Sequence, residues 1–475
     1  MTESVLVWFR RDFRLADNPA LDCARQDFER IVPVYIHDPD AEAPWSPGAA
    51  SRWWLHQALD ELRQRLADRG TRLIIRKGDA RKELDRLLQE TGASAVYWNR
   101  LYEPAIVARD REIKAHLNSE SVTARSFRAA VLFEPWELLK DDDSPYRVFT
   151  PFWKRMQRDW RAVQPCPEPR SLDDGSGDVG GLELDQLELL PGRDWGERLA
   201  GYWTPGELAA RRRLKAFADG PVERYDDARN RPDREGTSGL SPYLHFGHVS
   251  PAQVVNELEA SGELPDGKGA LSLVRELAWR EFSAMLLHHA PRLSDHPLQQ
   301  RFEEFPWRSE SDYDDDLDAW QRGCTGVPLV DAGMRELWQT GWMHNRVRMV
   351  VASYLTKNLL VPWQEGARWF WDTLVDADLA NNTQGWQWTA GCGADAAPYF
   401  RIFNPELQAD KFDPKGAYIR QWCPELEGLD ARGLARMDDD ERDRRGYPRM
   451  RVDLKESRRR ALDAFDAIKN QGTSE

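Results

Sequence analysis

Between Asp376 and Pro405 the chain reads DADLANNTQGWQWTAGCGADAAPYFRIFNP, a run that packs acids, amides and indoles together. Asp376 and Asp378 are two apart, Asn381 and Asn382 follow, and Trp386 and Trp388 are again two apart. Carboxylates and amides make a poor hydrophobic core, because each buried polar group needs a partner. A large polar aromatic ligand supplies those partners: its edges take the acids and amides, its faces the indoles. The chain holds 21 Trp in 475 residues, more than packing alone calls for.

Three other segments have chemistry in them. Thr237-Ser238-Gly239-Leu240-Ser241-Pro242 puts hydroxyls at the start of a helix. Free N–H groups and hydroxyls there suit a diphosphate, and the same residues suit an ordinary N-cap; the pattern leaves both readings open. In RELAWREF, Glu276, Trp279 and Arg280 fall at i, i+3 and i+4 and share a helix face. That face is either a Glu–Arg surface pair beside a half-buried Trp, or a stacking platform with a hydrogen-bonding carboxylate for an extrahelical base. In WMHNRVRM, Asn345, Arg348 and Met349 lie near one face of an otherwise apolar helix. An Arg facing a core demands a carboxylate, and Asp376 is the candidate. Gly391-Cys392-Gly393-Ala394-Asp395-Ala396 matches G-x-G-x-x-A but follows no strand, so it is read as a chance match.

The elements that must position these groups come in two kinds. Over the first 130 residues, strand-like runs (VLVWF, IVPVYI, RLIIR, AVYWN) alternate with amphipathic helical stretches at 49–69, 80–90 and 104–118. That rhythm predicts a Rossmann-like α/β domain with a parallel sheet, without the dinucleotide fingerprint, since Arg10-Arg11-Asp12-Phe13-Arg14 follows the first strand. From 161 to 206 the pattern dissolves into Pro, Gly and acid. Beyond it helical periodicity takes over, as at 268–290, 329–340 and 344–359, predicting an all-α second domain. The expected division is 1–132, an α/β domain; 133–205, a connector; and 206–475, a helical domain. The acidic run Asp312–Asp318 reads as a solvated loop, and the mixed-charge tail after Asp438 as a solvated helix with its loops.

Composition narrows the class. A net charge of −14 argues against indiscriminate coating of nucleic acid but not against a local basic groove. With 54 Arg against 12 Lys, the acid-rich, Lys-poor balance also suits solubility at high salt. Five scattered Cys without a C-x-x-C pair predict reduced thiols and no metal site. No apolar run is long enough for a membrane span, and the strand-like VLVWF directly after Met1-Thr2-Glu3-Ser4 predicts a cytoplasmic protein.

VLVWFRRDFRLADNPAL, YRVFTPFWK, GTSGLSPYLHFG, ELAWREF, TGWMHNRVRM and the run from Asp376 occur in order along nearly the whole chain. In them the chain resembles the photolyase/cryptochrome family, and within it the bacterial class I cyclobutane pyrimidine dimer photolyases. The resemblance implies an α/β antenna domain and a helical FAD-binding domain. It also implies a light-driven enzyme, a deoxyribodipyrimidine photo-lyase, in which an electron from reduced FAD splits a flipped-out cyclobutane pyrimidine dimer in UV-damaged DNA. Tyr225, Thr237, Ser238, Leu240 and Ser241 would then hold the FAD phosphates and ribityl chain. Asn345, Arg348, Asp376, Asp378 and Asn382 would line its rings, with Asn382 facing flavin N5. Glu276, Trp279, Met349 and Trp388 would receive the dimer, with Arg229 and Arg346 on the DNA; Arg401 extends the same basic groove. Trp386, Trp363 and Trp307 would relay electrons to the flavin. Folate-using relatives carry an Asn-Glu pair where Tyr102-Glu103-Pro104 leads into Ala105-Ile106, so a deazaflavin antenna, or none, is expected rather than folate. The protein is expected to be a monomer. The rival readings are a cryptochrome-like blue-light receptor, which often has an acid at the Asn382 position, and a (6-4) photolyase, which has a His pair where His344-Asn345 stands.

Overall fold

The computed structural model describes residues 3–161, 164–396 and 400–469; positions 397–399 of the AAPYF motif and the end of the expected helical domain lie outside them. Among the described residues every strand precedes residue 128 and all five form one parallel sheet in the order β3-β2-β1-β4-β5. These are β1 (Ser4–Phe9), β2 (Arg30–His37), β3 (Ile74–Lys77), β4 (Ala95–Asn99) and β5 (Thr123–Phe127). Every residue of β1 is buried, as a central parallel strand covered on both faces requires. Four helices, α1 (Pro19–Asp27), α2 (Ala49–Ala67), α3 (Ala80–Thr91) and α4 (Pro104–Ser119), alternate with the strands. Their ends follow local chemistry: Asn18 caps α1 on Leu21 N–H and Asp79 caps α3 on Lys82 N–H. The Rossmann-like expectation holds, with one strand more than the four apolar runs announced. β5 is TARSF, a half-exposed edge strand with little apolar signal.

By contacts the described chain divides into two compact units. The first comprises residues 1–145, 152–223 and 238–291; the second comprises 146–151, 224–237 and 292–475. The helices Glu207–Ala218, Pro251–Ala260 and Lys268–His289 therefore belong with the sheet, although periodicity alone groups them with the helical region.

In the first unit the Pro/Gly/acid connector is tied down. Ile31 N–H donates to Asp173 O, Gly175 N–H to Ile31 O, and Leu182 N–H to Ile75 O. Glu207, fully buried, accepts N–H bonds from Leu15 and Ala16 and pairs with Arg65. The charged turn after β1 is an anchor: Phe13 N–H donates to Phe246 O, and Arg14, 1% exposed, donates to the carbonyls of Asp17, Ala129 and Gly247. His248 accepts the Trp54 indole N–H at 3.0 Å, and burial pushes its pKa down to about 3, so it is a neutral acceptor.

The second unit is helical. Asp312–Asp318, expected as a loop, lies within the helix Glu310–Gln321. Acids in its first turn meet the positive end of the helix dipole, and Tyr313 and Trp320, seven apart, bury one face. Arg308 and Arg451 both bind Asp316, which offsets part of the acidic charge. The helix expected over 344–359 is α-helical over Asn345–Ser353 and continues as a π-helical turn, Tyr354–Asn358, buried throughout.

Candidate functional site

The helix Asn345–Ser353 starts at a turn built by three side chains. His344 caps it by accepting the Arg346 N–H at Nδ1, 3.1 Å. Glu336, on the helix Pro328–Thr340, accepts the His344 N–H at 3.3 Å and the Tyr418 hydroxyl at 2.6 Å, both at Oε2. From this start the helix presents Asn345, Arg346, Arg348 and Met349, of which Asn345 is exposed and the rest half-buried.

Arg348 meets its expected partner. It donates to both oxygens of Asp376, at 2.8 and 3.1 Å, and to Met343 O at 2.7 Å. The Asp376 side chain is only 4% exposed, so this is a charge pair in a largely desolvated setting. Two residues on, Asp378 caps the helix Leu379–Ala390 through the N–H of Asn381 and also takes its side-chain amide. Asn382 Nδ2 donates to Ala367 O at 3.0 Å, which orients the amide.

Trp386 is 2% exposed and lies across the helix Trp363–Thr373. A Cβ built on Gly366 would stand 2.0 Å from the Trp386 ring, so only glycine admits the indole there. Trp363, one turn earlier, is 1% exposed. Trp307 is half-buried, and the N–H of its neighbour Arg308 donates to Leu360 O, three residues before Trp363. Trp386 and Trp363 are thus both buried and Trp307 half-buried, although the ring neighbours of Trp386 are Phe370 at 5.0 Å and Trp320 at 6.1 Å. Trp320 was not singled out from sequence, because nothing in an acidic run marks one of 21 tryptophans.

Trp388 is oriented from two sides: its Nε1–H donates to Asp395 O at 3.1 Å, and the Arg401 guanidinium lies 5.5 Å from its ring centroid. Arg229 stacks on Tyr225, and Arg346 stacks on Phe412 and bonds Asn230. Arg346 and His344 sense the charges around them. Desolvation and then the charges of Arg229 and Arg401 lower the Arg346 pKa, and burial with Arg346, Arg348 and Arg229 holds His344 down to about 4. Arg229 and Arg401 thus lie near enough to Arg346 for their charges to act on it, in a chain of net charge −14.

Tyr225, Arg229 and Thr237 belong to the second unit; Ser238, Leu240, Ser241, Glu276 and Trp279 belong to the first. Leu240 N–H bonds Ser238 Oγ at 3.4 Å, and Ser241 opens the short helix Ser241–His245. On the helix Lys268–His289, Trp279 is half-buried with its ring edge-on to Phe282. The Glu276–Arg280 pair that periodicity allowed is not formed: Arg280 bonds the Ala130 carbonyl. Next to it, buried Glu281 accepts the N–H groups of Leu132 and Phe133 at 2.9 and 3.0 Å, which fixes this helix to the chain after β5. The five cysteines are unpaired and, among the described residues, no group of acids, His and Cys could hold a metal. No described helix is long and apolar enough to cross a membrane.

Two family models match the chain: DNA photolyase over residues 5–170, and the FAD binding domain of DNA photolyase over residues 273–467. The chain is 42% identical to the deoxyribodipyrimidine photo-lyase of Agrobacterium fabrum, over 98% of each. The chain belongs to the DNA photolyase family. It is also 37% identical to Cryptochrome-1 of Arabidopsis thaliana, over 89% of this chain and 63% of that protein. The crystal structure of a bacterial class III photolyase from Agrobacterium tumefaciens matches with a TM-score of 0.93 at 42% identity, covering 99% of this chain and 98% of that one. The class I expectation is thus unsupported, while the photolyase fold and its FAD-binding domain stand.

Proposed function

We propose that this protein is a light-driven DNA repair enzyme of the deoxyribodipyrimidine photo-lyase type, of the class III kind, acting on cyclobutane pyrimidine dimers. The observation that carries repair is the Arg401 guanidinium over the Trp388 ring, beside an Arg346 on which the charges of Arg229 and Arg401 both act, on a chain of net charge −14. Positive side chains around a held indole are what a phosphate backbone with two adjacent, linked bases of one strand swung out requires.

FAD, when bound, supplies the light-driven electron. The residues fit it: an Arg348–Asp376 pair for its polar edge, and an Asn382 amide oriented by its bond to Ala367 O. A neutral amide there adds no negative charge beside an electron-rich ring, as an acid would. Tyr225, Thr237, Ser238, Leu240 and Ser241 would hold the diphosphate and ribityl chain, and Asn345 and Asp378 would complete the ring contacts. Trp279, Met349 and Trp388 stack on and enclose the dimer while Glu276 hydrogen-bonds a pyrimidine edge. Trp386, Trp363 and Trp307 carry electrons inward from solvent. A second chromophore in the crevice beyond β1 and β4, where such sheets take ligands, meets a poor fit. Arg10, 7% exposed, is bonded there to Asp110 and the Asn99 carbonyl, and Arg10 and Arg109 both lie on Trp8. This counts against a chromophore at that position; for the domain, a deazaflavin antenna, or none, is preferred to a folate. The domain assignment 1–132, 133–205 and 206–475 is kept as a functional division, and a cytoplasmic monomer is the working assignment.

The second reading, a blue-light receptor, is favoured by the likeness to Cryptochrome-1. Blue-light repair of an oligonucleotide bearing one thymine cyclobutane dimer, with added reductant and a dark control, separates the two. Light-dependent restoration is expected; no repair by protein that carries reduced FAD would overturn the enzyme reading in favour of the receptor.

A further inference from the structure

Arg213 lies on the helix Glu207–Ala218. Its Nε–H donates to Ser238 O at 2.8 Å and its guanidinium lies 5.7 Å from the Trp203 ring centroid, but no carboxylate among the described residues pairs with it. The side chain is exposed, yet it is held against the 238–241 loop, which lies in the same compact unit.

The loop is shaped to receive it. Gly239 has φ +61°, a conformation in which a side chain is strained, and a Cβ built there would stand 2.0 Å from Nη2, 2.4 Å from Cζ and 2.5 Å from Nε of Arg213. The guanidinium therefore occupies the space that any other residue at 239 would fill. With Nε spent on the Ser238 carbonyl, the two Nη groups remain as a planar fork with no acceptor among the described residues. A fork fixed in this way is suited to two phosphate oxygens.

We propose that Arg213 is a cofactor-binding residue, supplying the positive charge for the FAD diphosphate at the 238–241 loop. The proposal rests on the reading of that loop as the diphosphate cradle. The hydroxyls and N–H groups of the loop bring no formal charge, and a diphosphate brings two negative ones. Arg213 offsets part of that charge, and Gly239 is the residue that lets it do so.

The test follows release of FAD from purified holoenzyme after dilution, by the rise of free-flavin fluorescence. A charge-assisted contact at an exposed site predicts roughly tenfold faster release in Arg213→Gln, an intermediate rate in Arg213→Lys, and a difference that shrinks as NaCl is raised. Gly239→Ala, which pushes the guanidinium off the loop, should speed release in the wild-type background and add little in Arg213→Gln, the non-additivity of two changes acting through one contact. Thr237→Ala/Ser238→Ala is the control for the loop itself. Faster release in that control but not in the Arg213 variants overturns the role of Arg213 and leaves the cradle. Unchanged release in both overturns the cradle, and the proposal with it. Unchanged release with weaker binding of dimer-containing DNA in Arg213→Gln also overturns it, placing the fork on the DNA backbone.

Discussion

Replacing Glu336 by Gln should make this protein more stable in mildly alkaline solution. Glu336 is 7% exposed, and burial pushes its pKa from the ordinary 4.5 to about 7; the Tyr418 hydroxyl, the His344 N–H and the Arg348 charge all act in the opposite direction without cancelling it. A carboxyl whose folded pKa lies above its unfolded one binds its proton more tightly when folded. Its contribution is therefore fully present below about pH 4.5, lost as pH rises through about 7, and level above that. The width of that window corresponds to roughly 3 kcal/mol at about 1.4 kcal/mol per pH unit. Glu281, pushed up to about 7 by burial, behaves with the same sign in the first unit. Urea unfolding at pH 5, 6, 7 and 8 should accordingly show Glu336→Gln gaining stability on the wild type as pH rises to about 7; His248 and His344, lowered to about 3 and about 4 and so acting with the opposite sign below their ordinary 6.5, contribute to both proteins and drop out of the difference. If the units unfold in separate transitions, only the one containing residues 292–475 should respond. The glutamine keeps a carbonyl for Tyr418 and His344, so the start of the Asn345–Ser353 helix should survive and Arg348 should stay in place. An identical pH slope in the two proteins would refute the reasoning.

Breaking the Arg348–Asp376 pair is expected to be costly: Asp376→Ala leaves a half-buried guanidinium with the Met343 carbonyl alone and should destabilise the second unit by about 3 kcal/mol, measured by the same unfolding. Trp386→Phe should abolish light-driven reduction of the bound flavin, followed by absorbance, while repair with chemical reductant persists; normal photoreduction would remove Trp386 from the electron path. Arg346→Ala should weaken binding to dimer-containing DNA and lower the slope of log affinity against log salt by about 0.9, and an unchanged slope would take Arg346 off the DNA. Gly366→Ala should destabilise the protein by about 1–3 kcal/mol, because its methyl would meet the Trp386 ring; a smaller shift in the unfolding midpoint would mean that the indole can move.

What could be read in advance follows the range of the interactions involved. Runs such as VLVWF and AVYWN are apolar because both faces of a central parallel strand are covered, so β1 to β4 were legible, while β5, half-exposed at the edge, was not. The Arg348–Asp376 pair was legible because an inward-facing Arg has few acceptable partners. Asp312–Asp318 misled because its charge suggested solvent, whereas Tyr313 and Trp320, seven residues apart, and two arginines from elsewhere make it a helix.

By itself the sequence determined the kinds of element, the residue types a flavin and a lesion call for, and the family through blocks of local pattern. Local pattern is enough for those, because helix and strand periods and capping act over a few residues. Only the tertiary structure decided that Arg280 turns to Ala130 and not to Glu276, that Asp378 is a helix cap, that Gly366 makes room for Trp386, and that Arg213 sits on Gly239. Each joins chain segments whose separation along the sequence carries no periodic signal, or chooses between partners that spacing alone leaves equivalent, so packing had to settle it.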